Sequence, residues 1–209
     1  MPLSGKPLVA WSIEVSLLAD SLDAVFLSTD RSEIAQIGHD LGVEVIQRPR
    51  KFGMDTTPMS DVISHAVSEI GDEIDLVLLE PTSPLRYPWE IDAAVALLAE
   101  NPETIVVTAH SAIEHPELIY VVGNNGDLIP AWSGKHATRR QDRPRALTLN
   151  GLIYAISASC AAKSPDLRHH PMKALMTDVE RSVSIDYQID LAKVERWLAG
   201  HPNFPHESD

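Results

Sequence analysis

Four polar segments of the chain could carry chemistry, and each lies at the end of a predicted strand. They are residues 28–30, 48–57 and 80–86, and Asp186. In open parallel sheets, ligands bind beyond the carboxyl ends of the strands. We therefore expect these side chains to gather at one edge of a sheet and to line a ligand site there.

The segment EPTSPLR at residues 80–86 has two prolines and two hydroxyl side chains directly after an apolar run. Prolines fix the backbone, so carbonyl and amide groups there can be held rigid against a planar ligand such as a base. A stiff strand-to-helix turn, with Arg86 tying down a helix end, explains the same residues. On these seven residues alone, the structural interpretation is the stronger one.

Between these segments, stretches whose apolar residues recur at helical spacing alternate with strand-like apolar runs. Strands separated by helices of ordinary length indicate a parallel sheet built from right-handed crossover units. The sequence therefore predicts an α/β fold with a mostly parallel sheet. Helical spacing of apolar residues marks residues 7–19, 34–41, 62–70 and 91–98, and strand-like runs mark residues 23–28, 43–46, 75–79 and 104–108.

This alternation stops after the fourth predicted strand. Residues 112–148 contain turn signals and a basic run without helical periodicity, so we expect an excursion from the sheet, such as a hairpin lobe. Strand alternation returns at residues 150–156, and residues 183–186 are predicted as a late strand. A last helix follows with Asp190 as its N-cap, and we expect residues 201–209 to be frayed.

Composition limits the classes of function. The chain has 209 residues and a formal net charge of −13, which suits one domain, residues 1–209, with the lobe 112–148 inserted in it. Nucleic acids and anionic membranes are bound through Lys and Arg, so we expect neither partner. No stretch approaches the roughly 20 apolar residues that span a bilayer. The single cysteine, Cys160, excludes an internal disulfide, and the cytoplasm is the expected compartment.

Several segments resemble, in the same order along the chain, motifs of the acylneuraminate cytidylyltransferases, the family of the CMP-sialic acid synthetases. Residues 80–86 resemble the QPTSPLR of that family. The resemblance covers nearly the whole chain, and motifs in this order are hard to obtain by chance. The other matches are residues 3–8 with L-x-G-K-P-L, 25–30 with VIVSTD, 48–56 with RPxxLAxDT, 140–154 with RQxxP…NGAIY and 184–190 with DIDTExD.

The resemblance implies a three-layer, Rossmann-like nucleotidyltransferase fold. It implies transfer of a cytidylyl group from CTP to the anomeric hydroxyl of a 2-keto acid sugar of the sialic, or nonulosonic, type, with release of pyrophosphate. It also implies Mg²⁺, which Mn²⁺ can replace, and a homodimer formed through the lobe. Such a reaction needs neutralised polyphosphate charge, a cation matched to the sugar carboxylate and a hydroxyl in line with the α-phosphorus.

The resemblance also assigns roles to individual residues. Asp186 matches the second carboxylate of a DxD metal pair and would be the catalytic residue and metal ligand. Arg140 matches the arginine that binds the sugar carboxylate, with Gln141, Asn150 and Tyr154 in the same substrate pocket. For Asn150 a turn at the start of a strand, and for Tyr154 an ordinary core position, remain open alternatives. The nucleotide pocket would be built from Arg48, Asp55, Thr57, Glu80, Thr82 and Ser83.

Three features depart from the family pattern. Ser184 replaces the first carboxylate of the DxD pair, and its hydroxyl is a weaker, neutral ligand. Glu80 stands where the family has glutamine, and an ionised glutamate only accepts hydrogen bonds and repels phosphate. The phosphate loop of the family, RxGSKGxxxKN, precedes the segment matched by residues 3–8, and we expect the natural chain to begin upstream with it.

Two other functions stay open at this point. A homologue without that loop could be catalytically defective, so that it binds nucleotide or sugar weakly or only dimerises. A related nucleotidyltransferase could also use another sugar or base. Release of pyrophosphate from CTP, measured with and without keto-acid sugars, separates these functions.

Overall fold

The apolar stripes of the sequence form helices with one buried face. In α4, the residues Ile91, Ala94 and Leu98 recur every three or four positions and are all buried, as expected for one side of a helix. A computed structural model describes residues 2–54, 56–134 and 138–206. No helix in these ranges is long and apolar enough to cross a bilayer. The helices are α1 (Leu8–Leu17), α2 (Ser32–Asp40), α3 (Met59–Ile70), α4 (Pro88–Glu100), α5 (Ala158–Lys163) and α6 (Gln188–Gly200).

Most strands fall close to the predicted apolar runs or within the predicted lobe. The additions are Pro2–Leu3 and Lys6–Pro7 near the N-terminus and Met172–Met176, which follows α5. The strands are β1 (Pro2–Leu3), β2 (Lys6–Pro7), β3 (Phe26–Thr29), β4 (Glu44–Gln47), β5 (Leu76–Leu78), β6 (Ile105–Ser111), β7 (Tyr120–Val122), β8 (Leu128–Pro130), β9 (Leu147–Ile156) and β10 (Met172–Met176).

The largest sheet has four strands in the order β10-β6-β9-β5, and β3 and β4 form a separate parallel pair. Strand β6 is parallel to β10, whereas β9 is antiparallel to both β5 and β6. The predicted α/β class is confirmed, but the sheet is mixed around β9. Two parallel neighbours need a crossover such as a helix between them, and the chain reaches β9 through the lobe instead.

Helix α1 joins the two groups of strands. Near its start, Val9 and Ile13 pack with Leu27 of β3 in one hydrophobic cluster. Farther along, Val15 packs with Ile91 of α4 and with residues of the four-stranded sheet, in the largest cluster of the core. The same helix therefore holds both sets of strand ends, where the candidate site residues lie.

The predicted lobe contains an antiparallel hairpin. Strands β7 and β8 pair with Val121 opposite Ile129 and Val122 opposite Leu128. All these residues are exposed, from 50% for Ile129 to 73% for Val122. The prediction of a hairpin is confirmed for this part of the lobe, while β9 begins at Leu147, inside the predicted lobe boundary.

Three predictions of local structure are wrong. Residues 183–186 are not in a strand, because Val183 and Ile185 pack into an apolar cluster without a ladder partner. Asp190 lies in the first turn of α6 and accepts a hydrogen bond from the backbone N–H of Tyr187, the N-cap. The described part of the predicted frayed tail, residues 201–206, is anchored at Phe204, which is 8% exposed.

Candidate active site

The turn at residues 80–86 is organised around the side chain of Arg86, which is completely buried. Its guanidinium donates hydrogen bonds to the backbone carbonyls of Glu80, at 2.7 Å, and of Ser83. It also donates to the hydroxyl of Ser12 on α1, at 2.8 Å. Arg86 therefore fixes the turn itself to α1, which corrects the expectation that it ties down a helix end.

Burial lowers the pKa of Arg86 to about 9, although the nearby carboxylates of Glu80 and Glu90 counter that effect. The side chain is therefore a cation at neutral pH. A buried charge is tolerated where hydrogen bonds satisfy it. The two turn carbonyls and Ser12 accept from the Nη atoms of Arg86, while its buried Nε has no partner. Arg86 therefore places a positive charge beneath the turn at residues 80–86.

Asp186 is exposed beside this turn. The segment that carries it is attached to the turn by the backbone N–H of Ile185, which donates to the carbonyl of Thr82 at 2.7 Å. Glu80 and Asp186 are close enough for their charges to interact. Asp186 therefore lies near Glu80, although it belongs to a loop and not to the end of a strand.

Glu80 is half-buried, and Gly151 of β9 approaches it closely. A Cβ atom on Gly151 would lie 3.0 Å from Oε2 of Glu80 and 3.3 Å from the Ser83 hydroxyl, and its φ of +69° also favours glycine. Burial raises the pKa of Glu80, and Asp186 raises it further, while Arg86 lowers it. The net direction is upward, so the ionised form is disfavoured in the folded protein.

We expect Glu80→Gln to stabilise the protein at neutral pH relative to wild type. A carboxyl whose pKa is raised on folding contributes stability below its ordinary pKa and loses that contribution as the pH rises through the folded value. The advantage of the variant should therefore shrink as the pH falls towards 4.5, the ordinary pKa of glutamate. Urea unfolding across this interval measures it, and a difference that does not vary with pH would contradict the assignment.

Asn150 and Tyr154 both lie on β9, but their environments differ. The amide nitrogen of Asn150 donates to the hydroxyls of Thr177, at 2.7 Å, and Ser182, at 2.8 Å. Tyr154 pairs with Leu78 across the sheet, and burial, followed by the charge of Glu80, raises its pKa. Asn150 therefore ties β9 to the segment that leads to Asp186, and Tyr154 lies within the electrostatic reach of Glu80.

Arg48 and Thr57 form a second group beyond β3 and β4. The guanidinium of Arg48 lies 3.8 Å from the carboxylate of Asp30, and its side chain is 20% exposed. The Nε atom of Arg48 is buried without a hydrogen-bond partner. The hydroxyl of Thr57 donates to the carbonyl of Lys51 at 3.3 Å, which closes the loop. The loop thus presents a partly buried cation at these strand ends.

The remaining predicted site residues are only partly described. Asp55 lies outside the described residues. Arg140 and Gln141 begin a short 3₁₀ helix, Arg140–Asp142, in the lobe segment, and Gln141 is exposed. Their roles as sugar ligands stay predictions.

The sequence did not indicate the residues that hold the site together. Thr177 and Ser182 bind Asn150, and Arg181 forms a buried ion pair with Glu90. Nothing in the spacing of Thr177, Arg181 and Ser182 marks them, since each lies in a short loop or a 3₁₀ turn. Asp30 is different, because the polar segment at residues 28–30 was noted in the sequence, and its carboxylate pairs with Arg48.

Comparison with a family model supports the resemblance found in the sequence motifs. Residues 1–129 match a model described as cytidylyltransferase. That range includes the turn at residues 80–86 and the loop around Arg48, and it ends before Asn150 and Asp186.

Curated proteins match over most of the chain. An N-acylneuraminate cytidylyltransferase of Streptococcus agalactiae serotype V is 26% identical over 194 residues, covering 92% of this chain and 47% of that protein. A CMP-N,N'-diacetyllegionaminic acid synthase of Legionella pneumophila is 28% identical over 206 residues, covering 94% of this chain and 87% of that protein. The chain thus spans about half the length of the streptococcal relative.

Two solved structures have a similar fold. One is a CMP:2-keto-3-deoxy-manno-octonic acid synthetase complexed with CTP, with a TM-score of 0.70, 16% identity and coverage of 96% of this chain and 91% of that one. The other is a 4-diphosphocytidyl-2C-methyl-D-erythritol synthase from Anaerococcus prevotii, with a TM-score of 0.70, 10% identity and coverage of 95% and 92%. At such identities they establish the Rossmann-like nucleotidyltransferase fold and nothing finer.

Proposed function

Because the chain belongs to the cytidylyltransferase family, we propose that it transfers CMP from CTP to the anomeric hydroxyl of a nonulosonic, 2-keto acid sugar and releases pyrophosphate. The names of its relatives from Streptococcus and Legionella support this substrate class. The observation that carries the proposal is the hydrogen bond from Ile185 to Thr82, because it holds Asp186 beside the turn at residues 80–86. A nucleoside triphosphate substrate also favours the cytoplasm as the compartment.

The site residues serve positioning and charge neutralisation. Phosphoryl transfer needs the attacking oxygen in line with the phosphorus and needs the developing charge to be stabilised. The loop of Arg48 and Thr57 offers a cation and a fixed backbone to the nucleotide. The Glu80 carboxylate lies near Asp186, and Tyr154, a proposed sugar ligand, lies within reach of the charge of Glu80.

We also propose Mg²⁺, or Mn²⁺ in its place, as the cofactor at Asp186. Carboxylates are the hard oxygen donors that Mg²⁺ prefers, and Asp186 has the Glu80 carboxylate nearby and the Ser184 hydroxyl two residues away. Within residues 2–54, 56–134 and 138–206, no group of three or more His, Cys, Asp or Glu side chains could hold a metal. An ion held at Asp186 would therefore take most of its other ligands from phosphate and water. When bound, Mg²⁺ would neutralise triphosphate charge.

Pyrophosphate release tests the proposed activity. The protein is incubated with Mg²⁺ and each of CTP, UTP, ATP and GTP, with and without a panel of keto-acid sugars that includes N-acetylneuraminic and N,N'-diacetyllegionaminic acids. We expect release with CTP and at least one of these sugars. Release with another nucleotide would favour a different nucleotidyltransferase, and no release with any pair would favour a catalytically defective homologue.

We expect Arg140→Ala to raise the KM for the sugar by about 10- to 100-fold, because a charge-assisted hydrogen bond to the carboxylate is lost. The KM for CTP should change little. Arg139→Ala is the matched control, since the guanidinium of Arg139 is already paired with Asp142 at 2.7 Å. Equal effects of Arg140→Ala on both substrates would remove its assigned role.

We further propose that the chain forms a homodimer through the hairpin of β7 and β8. An isolated two-stranded hairpin is marginally stable in water, yet Val121, Val122, Leu128 and Ile129 are all exposed. Monomeric proteins rarely expose large apolar patches. A second copy of the chain would cover this surface.

Val122→Asp should convert the dimer into a monomer, because it places a charge in the apolar contact. Ile74→Asp is the control, since Ile74 is a 40% exposed apolar residue outside the hairpin. Light scattering after size exclusion should give twice the mass of one chain for wild type and for Ile74→Asp. A wild-type protein with the mass of one chain would contradict the proposed dimer.

A further inference from the structure

Arg181 and Glu90 form an ion pair that is almost completely shielded from water. Their side chains are 5% and 1% exposed. Two hydrogen bonds join them side by side, from Nη1 to Oε2 at 2.7 Å and from Nη2 to Oε1 at 2.6 Å. Nη1 also donates to the carbonyl of Leu85 at 3.2 Å, and the guanidinium lies 4.8 Å from the ring centroid of Tyr87. The guanidinium of Arg181 is therefore held along its edge by Glu90 and Leu85 and on one face by the ring of Tyr87.

The pair joins the two segments that carry the site carboxylates. Glu90 belongs to the first turn of α4, directly after the turn at residues 80–86, and it also accepts a hydrogen bond from the backbone N–H of Tyr87 at 2.9 Å. Arg181 ends a 3₁₀ turn, Val179–Arg181, five residues before Asp186. Between these points, Ile185 donates to Thr82. The ion pair and this backbone hydrogen bond are thus two attachments between the same two segments.

Stability alone does not account for an ion pair in this place. Taking both charges out of water costs several kcal/mol in real proteins, and well-packed apolar side chains of similar volume are often as stabilising or more so. What a bidentate arginine–carboxylate pair adds is a defined distance and orientation. Burial lowers the pKa of Arg181, but its hydrogen bonds to Glu90 and the negative charges of Glu90 and Asp178 together outweigh that effect and leave the pKa raised. Arg181 therefore stays charged at any pH at which the protein works.

We propose that Arg181 and Glu90 are positioning residues for the reaction: they hold the segment 182–186 against the turn at residues 80–86, so that Asp186 stays beside Glu80. Their effect on catalysis passes through Asp186 and rests on the function proposed above. It acts on the side of the site that binds the cation and the nucleotide phosphates. Sugar binding through Arg140 does not depend on it.

Two variants test this role. Arg181→Lys keeps the charge but loses the bidentate geometry, and the double variant Arg181→Met with Glu90→Leu removes both charges without leaving one buried alone. In both, we expect amide hydrogen exchange at Ile185 to accelerate about tenfold or more. We also expect the affinity for Mn²⁺ in the presence of CTP, followed by electron paramagnetic resonance, to fall about 10- to 100-fold, as for other residues that orient a metal ligand. The KM for the sugar should stay at its wild-type value.

The control is Arg143→Lys, which alters a second shielded pair, with Glu117 at 3.0 Å, inside the lobe. It should leave Ile185 exchange and Mn²⁺ affinity unchanged. A double variant with wild-type exchange at Ile185 and wild-type Mn²⁺ affinity would overturn the proposal. If wild type releases no pyrophosphate from CTP, the proposed function fails, whereas the exchange measurement still decides whether the pair positions the segment.

Discussion

We expect Arg86→Met to lower the free energy of unfolding by roughly 3 kcal/mol, the largest stability effect of any single substitution in the site. The variant removes the donors that satisfy the buried carbonyls of Glu80 and Ser83 and the hydroxyl of Ser12. A methionine of similar length cannot donate, so polar groups are left without partners in a water-free place. Urea unfolding followed by circular dichroism measures the loss.

Arg168→Met is the control for this experiment. Its guanidinium is also paired, with Asp166 at 2.8 Å, but its side chain is 85% exposed, so its unfolding midpoint should match that of wild type. Arg86→Lys should fall between wild type and Arg86→Met, since it keeps a charge without the planar set of donors. If Arg86→Met unfolds at the wild-type urea concentration, the guanidinium does not organise the turn.

We expect Asp186→Asn to lower kcat for CMP transfer by about 100-fold or more, the loss typical of removing one preorganised electrostatic contact to the reacting groups. The amide cannot replace the negative charge that the proposed cation needs. Because the Ile185 backbone still bonds to Thr82, the fold should be preserved. Initial rates at saturating CTP and sugar, over a range of Mg²⁺ concentrations, give the effect.

Asp190→Asn is the matched control in the same segment. The carboxylate of Asp190 is engaged by the backbone N–H of Tyr187 and by Lys193 at 2.9 Å, so its loss weakens the start of α6 without changing the Mg²⁺ requirement. Ser184→Asp should shift half-saturation to lower Mg²⁺, since it adds a second hard anionic ligand. Wild-type turnover by Asp186→Asn would exclude Asp186 from the reaction.

The fold class could be predicted because its signals are local. Apolar residues such as Ile91 and Leu98 recur at helical spacing, and runs such as Leu76–Leu78 are continuous where a strand has neighbours on both faces. The direction of β9 could not be predicted in this way. Alternation along a strand indicates which face is buried, but not whether the neighbouring strand is parallel or antiparallel.

The C-terminal region shows where such patterns fail. Strand β10 reads MKALM, and Met, Lys, Ala and Leu favour helices over strands. Its side chains are also mostly exposed, so no buried face marks it as a strand in a sheet. Its backbone pairs with β6 along five positions, and this pairing leaves no trace in side-chain type. Residues 183–186 alternate like a strand because Val183 and Ile185 face an aromatic cluster instead.

The site could be predicted as a set of residues but not as a set of contacts. Motif order identified Glu80, Asp186 and Asn150. It could not show that Asn150 is held by two hydroxyls, or that Arg86 and Arg181 are buried, because arginine is usually exposed. Long-range hydrogen bonds of the site, such as that from Arg181 to Leu85, join residues 96 positions apart, and no spacing in the sequence records them.

The most direct test is the identity of the product. Wild-type protein is incubated with CTP, Mg²⁺ and a keto-acid sugar, and the mixture is followed by phosphorus NMR and mass spectrometry. We predict equal amounts of pyrophosphate and of a CMP-sugar in which one phosphodiester joins cytidine to the anomeric oxygen. Hydrolysis of CTP without any CMP-sugar, or intact CTP with every sugar in the panel, would contradict the proposed function.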